Sequence, residues 1–239
     1  VGDHIAIPPD DAEGSGGRYL DPLATLAFLA GATRRIGLGT GVLVLPYRPA
    51  LPTAKWVATI QELSGNRLRL GVGVGWMEAE FRALGVERKR RGAITDETLD
   101  LIHRCFSADE VEENGRKFLF LPRPPRPPIY VGGFPPRAFD RVLRFGEGWM
   151  PTGIDAAALA PAVTELRDRA AAAGKRAPEV IALTTLPLDD GERALARVRE
   201  LVAAGATAVV HGSRYADAAA FARSVEVLAE RVRPAFGQA

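Results

Sequence analysis

The sequence is poor in cysteine and free of long apolar runs, and each shortage excludes a class of protein. Cys105 is the single cysteine among 239 residues, which excludes an intramolecular disulfide and fits a reducing cytoplasm. No apolar run is long enough to span a bilayer, so we predict no membrane partner. The formal net charge is only +2, and we therefore predict no nucleic-acid partner. Metal-ligand spacings are also missing, and we predict no metal site.

What the sequence does contain is typical of a folded α/β protein. Hydrophobic residues make up 47% of the chain and charged residues 25%, which is enough apolar material for a large packed core. The one basic run is 88–91, RKRR, which could contact phosphate but is more commonly a solvated loop or helix start. Both His103 and Cys105 fall inside a predicted helix, where we interpret Cys105 as a packing residue and His103 as a surface or interhelix residue.

Apolar patterning predicts strands that alternate with helices along the chain. The predicted strands are 1–5, 35–45, the part of Arg67–Phe81 before its glycines, 129–132, 148–151, 180–186 and 208–211. The predicted helices begin at Pro22, behind an Asp21 cap, and then cover 49–63, 95–106 with a Thr95 cap, 136–145, 156–173, 192–204 and 217–232. Residues 111–121 predict a hairpin that turns at Asn114-Gly115.

Alternation of this kind predicts a parallel sheet covered by helices. Seven strand–helix units are visible, and one more before Val1 would make eight. We therefore expect an α/β fold of the (β/α)8 TIM-barrel type, with residues 1–239 as a single domain whose first strand and helix are absent from this sequence. An open doubly wound sheet is the alternative.

Glycines cluster at the predicted strand ends, where a TIM barrel carries its chemistry. In Arg67–Phe81 a strand finishes in a GxGxG pattern that includes Gly73 and Gly75. Bare backbone at these positions allows a flat ligand or another chain segment to come close, and a tightly packed strand explains the pattern equally well. The spacing differs from the GxGxxG of dinucleotide-binding loops.

A second glycine pair lies between a strand and a helix. Gly132 and Gly133 end the strand at 129–132 and lead into the helix predicted from Pro136. Backbone N–H groups and the positive end of the helix dipole converge at such a junction, which predicts a phosphate site. A simple tight turn is the alternative. Gly148, at the start of the next strand, adds another close backbone approach.

Four sequence blocks resemble the bacterial luciferase-like superfamily of flavin- and deazaflavin-dependent oxidoreductases. They are VGDHIAIP from Val1, TRRIGLGTGVLVLPYRP from Thr33, LSGNRLRLGVGVGWMEAEF from Leu63 and PPIYVGGFPPRAFDRVLRFGEGWMP from Pro127. The resemblance covers most of the chain up to Pro151, and beyond that only the pattern is similar. It implies a TIM barrel with one more strand and helix before VGDH.

The resemblance also implies roles for individual residues. His4 matches a histidine beside the ring of the cofactor, where an imidazole serves in proton transfer or stabilises the reduced cofactor. Asp3 matches the residue just before that histidine, which contacts the cofactor ring or its polar edge. Gly41 and Val42 match a β-bulge that lies behind the cofactor ring. In the family this bulge often contains a non-prolyl cis peptide. Gly73 and Gly75 match backbone next to the cofactor tail, and Gly132 and Gly133 match the phosphate clamp. Beyond these matches, we expect Phe134 and Gly148 to contact the cofactor, and Trp76, Met77 and His211 to line the substrate pocket or to cover the cofactor.

Two departures from the pattern narrow the expected activity. The sugar-phosphate dehydrogenases of the superfamily have a tryptophan shortly after the histidine, whereas HIAIPP stands here, and no acid follows Gly75 directly. These departures argue against a sugar-phosphate substrate. The combination of GDHIAIP with GVGVGWMEAEF resembles the deazaflavin-dependent branch of the superfamily, and we therefore expect hydride transfer between coenzyme F420 and a small-molecule substrate, with His4 as acid or base. An FMN-dependent monooxygenase and a non-catalytic flavin-binding barrel are the alternatives. A homodimer is also expected.

Overall fold

The computed structural model describes residues 1–12 and 16–236. The chain divides into two compact units, Val1–Glu147 and Gly148–Ala239. Each unit contains parallel strands that alternate with helices, as the sequence predicts. The assignment of residues 1–239 to one domain remains a prediction.

The first unit combines a parallel sheet, a hairpin and helices. Its strands are β1 (Leu38–Val44), β2 (Leu68–Gly73), β3 (Glu110–Glu113), β4 (Arg116–Leu119) and β5 (Ile129–Gly132). Its helices are α1 (Pro22–Ala32), α2 (Ala50–Leu63), α3 (Glu78–Ala83), α4 (Arg91–Ser107) and α5 (Arg137–Phe145).

Strand β2 lies between β1 and β5, and all three strands are parallel. Leu70 pairs with Thr40 on one side and with Ile129 on the other. Every residue of β5 and five of the six in β2 are buried, which is typical of a sheet covered on both faces. Because the strands are parallel, their carboxyl ends meet at one edge, and Val44, Gly73 and Gly132 end there.

The register between β1 and β2 shifts between Thr40 and Leu43. Three steps along β1 correspond to two along β2, so β1 has one extra residue, which is a β-bulge. The peptide bond between Gly41 and Val42 lies in this bulge and is cis. Both features expected from the family resemblance at Gly41 and Val42 are therefore confirmed.

Local signals in the sequence account for most element boundaries. The Asp21 side chain accepts from the Ala24 N–H and caps α1, as predicted. Asn114 and Gly115, with φ of 51° and 70°, form the turn between β3 and β4. The arginines of 88–90 form an exposed 3-10 turn that leads into α4, which confirms a solvated helix start.

Two predicted elements in the first unit are wrong. Thr95 does not begin a helix, because α4 already begins at Arg91 and the Thr95 hydroxyl donates to the Arg91 carbonyl inside it. Residues 1–5 are not a strand. Val1 forms backbone hydrogen bonds with Gly39 and Gly41 of β1. The backbone N–H groups of Ile5 and Ala6, however, donate to the side chain of Glu80 and not to a strand.

The second unit contains β6 (Gly148–Met150), β7 (Glu179–Thr184) and β8 (Ala208–His211). Strand β7 pairs in parallel with both of the others. The helices are α6 (Ala156–Ala172), α7 (Gly191–Ala203) and α8 (Ala218–Val227). The predicted helix over 217–232 is regular only to Val227 and continues as a π-helical turn over Leu228–Val232.

The α/β class with parallel strands is confirmed, and this architecture is consistent with a TIM barrel. A strand and helix preceding Val1 remain a prediction. Within residues 1–12 and 16–236, no helix is both long enough and apolar enough to cross a membrane.

Candidate functional site

His4 is held by a buried carboxylate at the strand-end edge of the first unit. Its Nδ1 lies 2.9 Å from Oε2 of Glu80. The histidine side chain is 20% exposed, whereas that of Glu80 is fully buried. No described residue forms a hydrogen bond with Nε2 of His4. One ring nitrogen is thus fixed by the protein, and the other has no hydrogen-bond partner among the described residues.

Glu80 accepts four hydrogen bonds from two parts of the chain, the segment 4–6 and the turn after β1. Its Oε1 accepts from the backbone N–H groups of Ile5, at 2.6 Å, and Ala6, at 3.1 Å. Its Oε2 accepts from His4 and, at 2.8 Å, from the Tyr47 hydroxyl. The carboxylate therefore fixes the backbone that follows His4 as well as the imidazole itself.

These hydrogen bonds favour the ionised form of Glu80. Burial raises the pKa of the Glu80 carboxyl, but donation from Ile5, Ala6, Tyr47 and His4 outweighs it and leaves the pKa below its ordinary value. The pKa of Tyr47 is raised, first by burial and then by its hydrogen bond to this carboxylate. Tyr47 therefore stays a neutral donor and Glu80 an ionised acceptor.

Asp3 is buried and paired with Arg48. The guanidinium donates to both carboxylate oxygens, at 2.6 and 2.9 Å, and the Val44 N–H donates to one of them at 2.8 Å. Arg48 also contacts Asp21, the N-cap of α1, at 2.7 Å. Asp3 therefore anchors the segment before His4 to β1 and α1, and its expected contact with a cofactor ring remains a prediction.

Val42 fills the space that two of the strand-end glycines leave. A Cβ on Gly73 would lie 2.6 Å from a Val42 methyl group, and a Cβ on Gly132 would lie 3.1 Å from the other. Val42 itself is half-buried. The two glycines thus let one valine cover the ends of β2 and β5, and that valine offers a small apolar surface at the edge.

Gly75 has a similar packing role. It has a φ of +75°, and a Cβ there would lie 2.7 Å from Val44 and about as close to Phe81, at 3.0 Å. Phe81 in turn packs edge-on against Tyr47, with ring centroids 5.1 Å apart. At Gly73, Gly75 and Gly132 the structure thus shows side-chain packing, which was one of the two interpretations of the glycine-rich strand, and their cofactor contacts stay predictions.

The junction between β5 and α5 is more open. Gly133 has a φ of +95°, and only the Ala138 methyl, at 3.9 Å, comes near the position of its missing Cβ. Phe134 beside it is 61% exposed. Two prolines, Pro135 and Pro136, lack N–H donors at the start of α5, which begins at Arg137. The start of α5 therefore has fewer backbone donors than the strand-to-helix pattern suggests, and the phosphate site expected at Gly132 and Gly133 remains a prediction.

Aromatic rings surround the exposed side of His4. The Tyr19 ring lies 4.8 Å from the imidazole centroid, and the Trp76 ring lies 6.2 Å from it, edge-on. Trp76 is 67% exposed, which suits a ligand contact, whereas the neighbouring Met77 is buried. Met77 is thus a packing residue in this structure, and its assignment to a substrate pocket is not supported by its burial.

Two predicted site residues belong to the second unit. Gly148 begins β6 and is buried. His211 ends β8, and its Nδ1 accepts from the Leu186 N–H at 2.9 Å. Burial lowers the pKa of His211, so the neutral ring that accepts this bond is favoured. The predicted cofactor and substrate contacts of these two residues remain predictions.

His103 lies between two helices and Cys105 packs in the core, as expected. His103, on α4, has its Nε2 3.0 Å from the Phe145 carbonyl at the end of α5. Cys105 is fully buried in α4. Across the described parts of the chain, no group of three or more His, Cys, Asp and Glu side chains is arranged to hold a metal ion.

The sequence interpretation missed Glu80, Tyr47 and Arg48. A signal for Glu80 was present, because positions 77, 80 and 81 share one face of a helix and two of them are apolar. An acid on an apolar face is costly to bury unless it accepts hydrogen bonds, and so it predicts a specific partner. Tyr47 and Arg48 lie in a short turn after β1 and carry no comparable periodicity.

Sequence comparison places the chain in a family. Residues 3–238 match the luciferase-like monooxygenase family, and the chain belongs to it. An uncharacterized protein of Mycobacterium tuberculosis is 34% identical over 214 residues, which cover 85% of this chain and 73% of that protein.

Proteins similar to this chain use different cofactors. An FMNH2-dependent dimethylsulfone monooxygenase of Pseudomonas putida is 28% identical over 195 residues, which cover 77% of this chain and 53% of that enzyme. The structure of a coenzyme F420-dependent tetrahydromethanopterin reductase from Methanopyrus kandleri superposes with a TM-score of 0.73 at 18% identity, covering 91% of this chain and 88% of that one. At 18% identity, the similarity to the reductase shows a shared fold only.

Proposed function

We propose that this chain is an oxidoreductase that transfers a hydride between coenzyme F420 and a small organic substrate, with His4 as the proton donor or acceptor. One observation supports this most strongly. His4 has one ring nitrogen bound to a buried carboxylate and the other bonded to no residue in the described ranges, and the exposed ring of Trp76 lies 6.2 Å from the imidazole. A general acid or base needs this combination of fixed orientation and an accessible nitrogen.

The residues near His4 suit a flat, largely apolar ring. Val42 and Trp76 offer apolar surface at the same edge, and a phosphate of the cofactor tail would lie where the missing side chain of Gly133 leaves space. The bound cofactor would supply the hydride chemistry. The chain would hold the ring, exclude water with its aromatic side chains and move one proton at Nε2 of His4.

Coenzyme F420 is favoured over FMN by the sequence pattern GDHIAIP with GVGVGWMEAEF. The similarity to an FMNH2-dependent monooxygenase supports a second candidate, an FMN-dependent monooxygenase. The two candidates differ in the cofactor bound and in whether oxygen is consumed.

Cofactor titration separates the candidates. The purified protein is titrated with F420 and with FMN, and binding is followed by the fluorescence of each cofactor. We expect F420 to bind roughly tenfold or more tightly than FMN, a difference of about 1.4 kcal/mol. Tighter binding of FMN would favour the monooxygenase, and binding of neither would contradict both proposals.

Replacement of His4 tests the chemical role. In an assay of F420 reduction or oxidation with a panel of small alcohols, aldehydes and ketones, we expect His4→Ala to lower turnover about 100-fold or more, as the loss of a general acid or base does. Cofactor affinity should change little. His103→Asn is the matched control, because His103 lies between α4 and α5, where it contacts Phe145. Full turnover by His4→Ala would refute the assignment.

A further inference from the structure

We propose that Glu80 is a positioning residue that fixes His4 as its Nδ1–H tautomer, so that Nε2 is the atom that exchanges a proton with the substrate. The proposal rests on the function proposed above for the proton step, but its structural part concerns Glu80 and His4 alone. Nothing in the motif around Glu80 assigned it a role.

The tautomer follows from the hydrogen bonds that Glu80 accepts. An ionised carboxylate has no proton to donate. Oε2 of Glu80 lies 2.9 Å from Nδ1 of His4, and this contact is a hydrogen bond only if Nδ1 carries the proton. In the neutral ring, Nε2 then has the lone pair. The unbonded nitrogen is therefore the basic one.

Three donors other than His4 fix the orientation of the Glu80 carboxylate. Ile5 and Ala6 donate their backbone N–H groups to Oε1. Tyr47 donates to Oε2 from the turn after β1. Because the side chain is fully buried, water cannot replace any of these donors. The carboxylate has one arrangement that satisfies all four, and it places Oε2 at His4.

This arrangement makes Glu80→Gln an informative substitution. The glutamine has one carbonyl oxygen, and the two backbone N–H groups of Ile5 and Ala6 require it at the position of Oε1. Its NH2 group then takes the position of Oε2 and donates to Nδ1 of His4. Nδ1 must now accept, so the proton moves to Nε2. The substitution reverses the tautomer with almost no change in volume.

Nitrogen NMR of the histidine rings tests the proposal without any cofactor or substrate. The chain has three histidines, and His4→Asn identifies the His4 signals. At a pH where the ring is neutral, we expect the wild-type protein to favour the Nδ1–H tautomer of His4 by roughly tenfold or more, as a charge-assisted hydrogen bond allows. Glu80→Gln should favour Nε2–H.

Two further variants serve as controls. Tyr47→Phe removes one donor to Oε2 but leaves the contact with His4, so the Nδ1–H tautomer should persist. Glu78→Gln makes the same chemical change two residues away on α3, where the side chain is 64% exposed and pairs with Arg82. It should leave the His4 signals unchanged.

The outcomes separate this proposal from the proposed function. A wild-type His4 in the Nε2–H form, or an unchanged tautomer in Glu80→Gln, would overturn the role of Glu80 even if His4→Ala is inactive. Conversely, a fully active His4→Ala would refute the proton step while the tautomer result stands. With both proposals correct, Glu80→Gln should lower kcat about tenfold or more at nearly unchanged cofactor affinity, and Glu80→Asp should recover the Nδ1–H tautomer.

Discussion

A methyl group of Val42 stands 2.6 Å from the point where a Cβ on Gly73 would lie. Carbon atoms that are not bonded do not approach so closely, and the contact involves a branched side chain that is stiff at χ1. Gly73 is therefore required by its neighbour in the protein, whatever it does for a ligand.

Gly73→Ala should destabilise the protein by about 1–3 kcal/mol, because it overpacks the contact with Val42. Urea unfolding measures the change. Gly31→Ala, in α1, is the control, since nothing lies within 4 Å of its missing Cβ. That variant should be neutral or slightly stabilising. Adding Val42→Ala to Gly73→Ala should recover part of the loss, and strictly additive effects would contradict the packing interpretation.

Arg48→Met should destabilise the protein by about 3–5 kcal/mol, because among the described residues it leaves the buried carboxylate of Asp3 with the Val44 N–H as its one donor. The matched control is Arg82→Met. Its ion pair with Glu78 is exposed on both sides, and the loss should stay below about 1 kcal/mol. Thermal or urea unfolding compares the two. Equal effects would argue against an anchoring role of Asp3.

Gly133→Val should weaken cofactor binding roughly tenfold or more, because the side chain would occupy the space proposed for the phosphate and force a φ of +95° on a branched residue. Gly174→Val is the control, since Gly174 also has a positive φ, +65°, with nothing within 4 Å of its missing Cβ. Both variants should lose stability, but only Gly133→Val should lose affinity in the titration. Normal affinity would refute the phosphate contact.

The stability that the ionised Glu80 contributes should depend on pH. Because the hydrogen bonds keep the folded-state pKa of Glu80 below its ordinary value, its contribution is present above the unfolded-state pKa of about 4.3 and is lost as pH falls through the folded-state pKa. The difference in unfolding free energy between wild type and Glu80→Gln should therefore shrink from pH 6 toward pH 3. A difference that grows on acidification would contradict the ionised state.

The fold was largely predictable from the sequence because the signals were local. The Asp21 cap and the Asn114-Gly115 turn each act within a few residues, and the structure contains both. The expected strand at Val1–Ile5 was wrong for a reason that no local pattern contains. The N–H groups of Ile5 and Ala6 bond to Glu80, about 75 positions away.

The candidate site was predictable only in part, for the same reason. His4 and the cis bond after Gly41 were expected from the resemblance, and the structure places both at the edge where the strands end. The partners Glu80, Tyr47 and Arg48 come together through tertiary contacts. Glycine positions were ambiguous, because a bare backbone accommodates a valine from the next strand as readily as a ligand.

The two hydrogen bonds that Glu80 accepts at Oε1 come from backbone N–H groups, which every amino acid except proline has. The side chains of Ile5 and Ala6 are exposed and take no part in holding the segment. Either position can therefore change its side chain without moving the histidine beside it. Under the proposed function, this part of the chain would combine a fixed histidine with freely variable neighbours, which would give a simple route to new substrate preferences.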